Sequence, residues 1–172
     1  FFNLLSKEAR ERGIRRIVSF GSSANAEVRL AGYWPQQDGA TAEIRVAGQH
    51  LGLTLPQPGQ HLALNSAAAI AGVHAAGGDV AQAANDLVNM TSLPGRTDIR
   101  RVPVNGDEIT VIDDSFNANP ASMRAAFEVL AATPPGAGGR RMAVLADMLD
   151  LGSAATGYHR ELAQPLSESG VD

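Results

Sequence analysis

Apolar and polar positions change period several times along the chain, and each change marks an element. Phe1, Leu4, Leu5 and Ala9 recur at helical spacing, and Gly13 is a natural helix stop. "IRRIVSFG" (14–21) then reads as a strand ending in a glycine turn. Three short alternating runs follow: "AEVRLAGYW", "ATAEIRVAG" and "QHLGLTLP". Their period of two predicts hairpin strands, with a turn at Ala47-Gly48. "PQPG" (56–59) interrupts the pattern. From about His61, "HLALNSAAAIAGVHAAGG" predicts an alanine-rich helix closed by Gly77-Gly78, and Asp79 caps a further helix, "DVAQAANDLVNM".

The pattern changes around "TSLPGRTD" (91–98), and we place a domain boundary there, giving 1–94 and 95–172. "IRRVPV-NGD-EITVID" carries Asn105-Gly106 between two alternating runs, a strong hairpin signal. Pro103 confines the first of these strands to an edge. Asn119 then caps a helix with Pro120 at its first position, running to about Ala132. "RRMAVLAD" (140–147) reads as a buried strand of parallel type, and "GYHRELAQPLSESG" as a last helix. Strands and helices alternate after residue 110, as in a parallel α/β sheet that binds ligands at its strand ends.

Composition narrows the function. The chain has 172 residues, 44% hydrophobic and 19% charged, with a net charge of −4, so a general nucleic-acid or anionic-membrane surface is not expected. There is no cysteine, which excludes disulfides and thiolate metal sites. No apolar run approaches the ~20 residues that span a bilayer, and no secretory signal opens the chain. These features point to a cytoplasmic protein. Thirteen of the fourteen basic residues are arginine. The single lysine, Lys7, has no glycine near it, so the chain holds no phosphate loop of the G-x-x-x-x-G-K-S/T type. The sequence starts inside a helical pattern without methionine and stops where a strand is due, so we expect a piece of a longer polypeptide.

Candidate chemistry gathers in "VIDDSFNANPASM" (111–123), at a strand-to-helix corner. Asp114 there can accept two hydrogen bonds from a ribose diol or an ammonium group. Asp113 beside it would repel it unless one of the pair has a partner. Asn117 and Asn119 can donate and accept, although Asn119 reads first as the helix cap. Arg96, on a glycine-bent connection, can reach a phosphate in bidentate fashion or simply face water. His61 and Asn65 lie four apart near a helix start, where an amide can read the edge of an adenine, or cap and solvate the helix. Asp147 and Asp150 sit in a loop after the last strand, where they suit a ligand or plain solvation. His74 reads as packing, and His159 and Arg160 as structural.

Taken together these strings resemble the Mur ligase family. "IDDSFNANPASMRAAFEVL" is the most specific match. "MAVLADMLDLG", with "YHRELA" after it, resembles a second signature, and "PGR" and "GQHLALNSAAAIA" fit in order and spacing. Within that family they resemble the branch that joins D-alanyl-D-alanine to UDP-N-acetylmuramoyl-tripeptide. The resemblance implies an α/β fold: the C-terminal part of a central ATPase domain, followed by the start of a Rossmann-like C-terminal domain. It implies that Asp114 holds the ATP ribose, Arg96 approaches the phosphates and Asn65 contacts adenine. It places Asn117, Asn119, Asp147 and Asp150 on the dipeptide side. It further implies ATP and Mg2+ as cofactors, with the phosphate loop, a carbamylated lysine and the metal ligands upstream of residue 1. These residues alone are then inactive. The partners implied are the two small-molecule substrates, with no nucleic acid, no membrane and a monomeric state. Asp114→Ala is expected to weaken ATP binding and leave the fold nearly intact. Phe116 stands where tyrosine is usual, Leu62 and Ala146 replace asparagine and glycine, and Asp150 replaces glutamate. Other Mur or folylpolyglutamate-type ligases carry different strings after the aspartate. A dinucleotide-binding module would need a G-x-G-x-x-G that is absent. A scaffold domain without a ligand is the remaining alternative.

Overall fold

The computed structural model describes residues 2–36, 39–91 and 93–172. They form two compact units, 1–56 with 60–90, and 57–59 with 91–172.

In the first unit, helix α1 (Phe2–Glu11) is followed by a four-stranded sheet in the order β1-β2-β3-β4. The strands are β1 (Phe20–Gly21), β2 (Val28–Gln36), β3 (Gly39–Val46) and β4 (Gln49–Leu55). Period two decides which face is buried. Val28 and Leu30, then Ala42, Ile44 and Val46, then Leu51, Leu53 and Leu55 all point inward. They meet α2 (Gln60–Ala75) through Ala63, Ala67, Ile70 and Ala71, and α3 (Val80–Asp86) through Val80 and Ala84. Alanines on the inner face of α2 let its backbone lie close to the sheet. The Ala47-Gly48 turn has positive φ at both positions, +50 and +78°, as a two-residue hairpin turn of the mirror-image kind requires. Asp79 caps α3 as expected, its Oδ1 accepting from the amides of Ala81 and Gln82.

Two expectations are corrected here. Of the strand expected over 14–21, only Phe20–Gly21 forms, pairing in parallel with Val28 and Arg29. Arg16 is drawn instead into an ion pair with Glu27, 2.6 Å away. His74 does more than pack: its Nε2 lies 3.1 Å from Glu27 Oε1 and 3.3 Å from the Arg16 guanidinium. Helix α1 turns Phe2, Leu4 and Leu5 outward; Phe1, expected on the same face, lies outside the described residues.

In the second unit, β5 (Asp98–Val104) and β6 (Asp107–Asp113) form an antiparallel hairpin. Asn105 and Gly106 sit at its tip with φ +52 and +91°. Pro103 falls within this two-stranded ribbon, where each strand is an edge. Helix α4 (Pro120–Ala132) follows, then the short helices α5 (Ala155–Glu161) and α6 (Ala163–Glu168). The expected last helix is thus divided, with Leu162 between the two parts. Pro165 has no N–H to bond one turn back, which favours a break there. Phe127 of α4, Met148 and Leu162 form a small core, joined by Ala118, Met123, Leu151 and Leu166.

The α/β class holds, but the strand expected over 140–147 does not form. Residues 140–149 are neither helix nor strand. A buried parallel strand needs ladders on its edges and helices on its faces. Among the described residues no strand pairs with this segment, and Met142, Val144 and Leu145 face solvent. Arg141 has a different task. Its guanidinium donates to the carbonyls of Leu130, Ala131 and Thr133 at 3.1–3.2 Å, satisfying the end of α4. No helix among the described residues is long and apolar enough to cross a membrane.

Candidate functional site

The acidic corner is built by β6 ending at Asp113 and α4 beginning at Pro120. The two adjacent carboxylates avoid repulsion by turning to different partners. Asp113 Oδ1 accepts from the Ser115 hydroxyl at 2.7 Å and the Ser115 amide at 3.1 Å, closing a local turn. The Ser115 hydroxyl, then its amide, and more weakly the Arg100 charge hold the Asp113 carboxyl below the ordinary range. Asp114 reaches across to the segment that precedes β5. Its Oδ1 accepts from the Thr97 amide at 2.8 Å and the Thr97 hydroxyl at 3.3 Å. Asp114 is half-buried. Its second oxygen, Oδ2, has no hydrogen-bond partner among the described residues.

Thr97 explains why an acid is needed here. It is 4% exposed, so water does not satisfy its amide. Its φ is +53°, a region that a β-branched residue enters only when held. Gly95, two residues earlier, has φ +72° and accepts at its carbonyl from the Phe116 amide at 3.0 Å. A Cβ on Gly95 would lie 3.0 Å from the Phe116 nitrogen at a strained positive φ, so any other residue here would push on the Phe116 backbone. Between these two fixed points stands Arg96. Its guanidinium carbon lies 4.0 Å from the centre of the Phe116 ring, and the arginine is exposed. The structure therefore ties the connection that carries Arg96 to the corner that carries Asp114, through Gly95 on one side of the arginine and Thr97 on the other.

The asparagines are placed differently. Asn119 is the cap of α4: its Oδ1 accepts from the amides of Ala121 and Ser122, and Ser122 Oγ accepts from the Asn119 amide. Asn117 Oδ1 accepts from the next amide, Ala118, at 2.8 Å, and the residue is exposed. Asn65 lies in the first unit, exposed on α2.

The loop with Asp147 and Asp150 is held by His159. The Met148 amide donates to His159 Nε2 at 2.9 Å, and His159 Nδ1 lies 2.8 Å from the Ala155 carbonyl. This geometry fits the neutral ring with its proton on Nδ1. The Met148 side chain is sunk in the core beside Phe127 and Leu162. Asp147 itself is exposed, with Oδ1 3.9 Å from His159 Nε2. Asp150 is exposed at φ +58°. Loop and acidic corner share one mounting, because Ala118 and Met123 pack on the same small core as Met148 and Leu151.

Sequence reasoning missed Thr97 and the use made of Phe116. The signal for Thr97 was its place beside Gly95 in a bent connection. It also missed an open depression of about 250 Å3 in the first unit, lined among others by Glu27, Arg29, Arg45 and His50. Arg45 and His50 there pair with Glu43, while Arg29 Nε is buried without a partner among the described residues. Among the described residues no group of three or more His, Asp or Glu side chains could hold a metal ion.

Comparison with known proteins matches this architecture. Residues 95–172 match the family described as Mur ligase, glutamate ligase domain. The UDP-N-acetylmuramoyl-tripeptide–D-alanyl-D-alanine ligase of Escherichia coli (strain K12) is 28% identical over 162 residues. That alignment covers 93% of this chain and 34% of the relative. A crystal structure of MurF from Acinetobacter baumannii superposes with a TM-score of 0.80 at 25% identity, covering 97% of this chain and 35% of that one. MurF from Thermotoga maritima, in complex with ADP, shares the fold with a TM-score of 0.75 at 24% identity, over 93% of this chain and 36% of that one. The chain spans about a third of the length of the relatives it matches. Residues 95–172 are thus similar to the Mur ligase, glutamate ligase domain. Along nearly its whole length the chain matches a stretch of the ligases that act on UDP-N-acetylmuramoyl-tripeptide and D-alanyl-D-alanine.

Proposed function

We propose that this chain is part of an ATP-dependent ligase that joins D-alanyl-D-alanine to UDP-N-acetylmuramoyl-tripeptide in the cytoplasm, during synthesis of the cell-wall precursor. On this reading residues 1–94 belong to the central ATP-binding domain and 95–172 begin the Rossmann-like ligase domain. One observation carries the nucleotide part. The connection before β5 presents an arginine that no carboxylate neutralises among the described residues, and that connection is hydrogen-bonded to a corner whose aspartate has one oxygen unspent. That donor set fits a nucleoside phosphate.

ATP supplies the activation: its terminal phosphoryl group passes to the tripeptide carboxylate, and the dipeptide amine then displaces phosphate from the acyl carbon. Asp114 offers Oδ2 to a ribose diol while Oδ1 keeps the turn closed. Arg96 offers in-plane N–H donors to phosphate oxygens. Asn65 offers its amide to adenine. On the amine side, Asp147 and Asp150 supply negative charge for an ammonium group. Asn117 and Asn119 keep their Nδ2 donors, since their Oδ1 atoms are committed to the backbone. The phosphate lysine, the carbamylated lysine and the Mg2+ ligands are assigned to residues outside these 172, in keeping with a single, glycine-free lysine context.

Phosphate release from ATP, measured with both substrates, tests the reading. The full-length protein is expected to release phosphate only when tripeptide and dipeptide are both present. The 172 residues by themselves are expected to release none. A full-length protein silent with this substrate pair removes the ligase assignment.

A further inference from the structure

We infer that Phe116 is a positioning residue for Arg96: its ring face orients the guanidinium for a phosphate without using any of the guanidinium's donors. The inference rests on the nucleotide reading above and deepens it.

Three observations converge. First, Phe116 is 65% exposed, so burial does not explain its place. Second, its backbone is nevertheless pinned, by the 3.0 Å bond from its amide to the Gly95 carbonyl and by a close approach at which a Cβ on residue 95 would crowd it. Third, Arg96 covers its ring at 4.0 Å. Among the described residues none of the neighbouring acids pairs with Arg96: Asp98 pairs with Arg100, Asp113 turns to Ser115, and Asp114 gives Oδ1 to Thr97.

The manner of contact matters chemically. An arginine fixed by a carboxylate spends two N–H donors and cancels its charge. An arginine lying on an aromatic face is held through the ring quadrupole, and its five donors remain in plane for a bidentate oxyanion. The ring hydroxyl of tyrosine adds nothing to such a stack, so phenylalanine serves as well at this position. The role predicts an effect that depends on phosphate and on Arg96.

The test is nucleotide affinity of the full-length protein, by calorimetric titration of ADP and by competition with adenosine. An exposed cation–π contact corresponds to roughly a 2- to 5-fold change in affinity. Phe116→Ala and Phe116→Leu are each expected to weaken ADP binding by that factor and to leave adenosine unchanged. Phe116→Tyr is expected to bind ADP as the parent does. In an Arg96→Ala background, Phe116→Leu should have no further effect. Equal losses for adenosine and ADP, or a Phe116→Leu loss that persists without Arg96, would overturn the inference. If Arg96→Ala weakens ADP while the Phe116 variants do not, only the positioning role fails. If Arg96→Ala leaves ADP affinity unchanged, the phosphate assignment fails with it.

Discussion

Asp114→Ala is the perturbation whose cost can be worked out from local geometry. The Thr97 amide is buried and has Asp114 Oδ1 as its acceptor, 2.8 Å away. A hydrogen bond from an amide to a charged group contributes ~1.5–3 kcal/mol, and removing the acceptor orphans a buried donor at a similar cost. Against that stands the strain of a β-branched residue at φ +53°, on the order of 1–2 kcal/mol, part of which is released if the turn relaxes. The net loss is therefore about 1–2 kcal/mol. A loss of that size is a local cost at this corner. Native-state hydrogen exchange at the Thr97 amide reads the effect directly. Protection there should fall by roughly 5- to 30-fold in Asp114→Ala, at ~1.4 kcal/mol per decade. Asp114→Asn keeps an oxygen acceptor and should preserve most of it. Unchanged Thr97 protection in Asp114→Ala, or an equal loss in both variants, would refute this account of the corner.

Two further perturbations probe other parts of the chain. Asn119→Ala should destabilise α4 by about 1 kcal/mol in urea unfolding, because the helix loses both amide contacts of its cap, whereas Asn119→Asp should keep the cap. Glu27 is held below the ordinary carboxylate range by the Arg16 guanidinium first and by His74 less strongly. A depressed folded value contributes stability above the unfolded value, ~4.3, that is lost as pH falls through the folded value. Thermal melts of Glu27→Gln against pH should therefore show a flatter acid limb than the parent below about pH 4.3. The difference should be small and shrink with added salt, because the pair is partly open to water.

Much of this was legible from local rules. Asn105-Gly106, Asp79 and Asn119-Pro120 each name a turn or a cap by short-range chemistry, and each forms where the residues indicate. The hairpins β2 to β4 were readable because one face is buried, which imposes a period of two on most of their length, interrupted by a register shift between Leu30 and Gly32. The segment 140–147 was misread because its apolar run signals a strand only when neighbours supply a ladder, and none among the described residues does. At the site, the corner itself stood out as two acids and two asparagines between strand and helix. What could not be read was the division of labour between the acids. It depends on Thr97 folding back beneath Asp114, a contact across 17 positions that no spacing rule encodes. For the same reason His74 passed for a packing residue, since its partner Glu27 is 47 positions away.

The most direct measurement is the affinity of the full-length protein for ADP with Asp114→Asn in place. That variant keeps the Thr97 acceptor, so the turn stays closed and only the carboxylate charge and Oδ2 are altered. Binding should weaken about 10-fold, the order expected when a charge-assisted hydrogen bond is lost. An affinity equal to that of the parent, with Thr97 still protected, would contradict the claim that this corner grips a nucleotide.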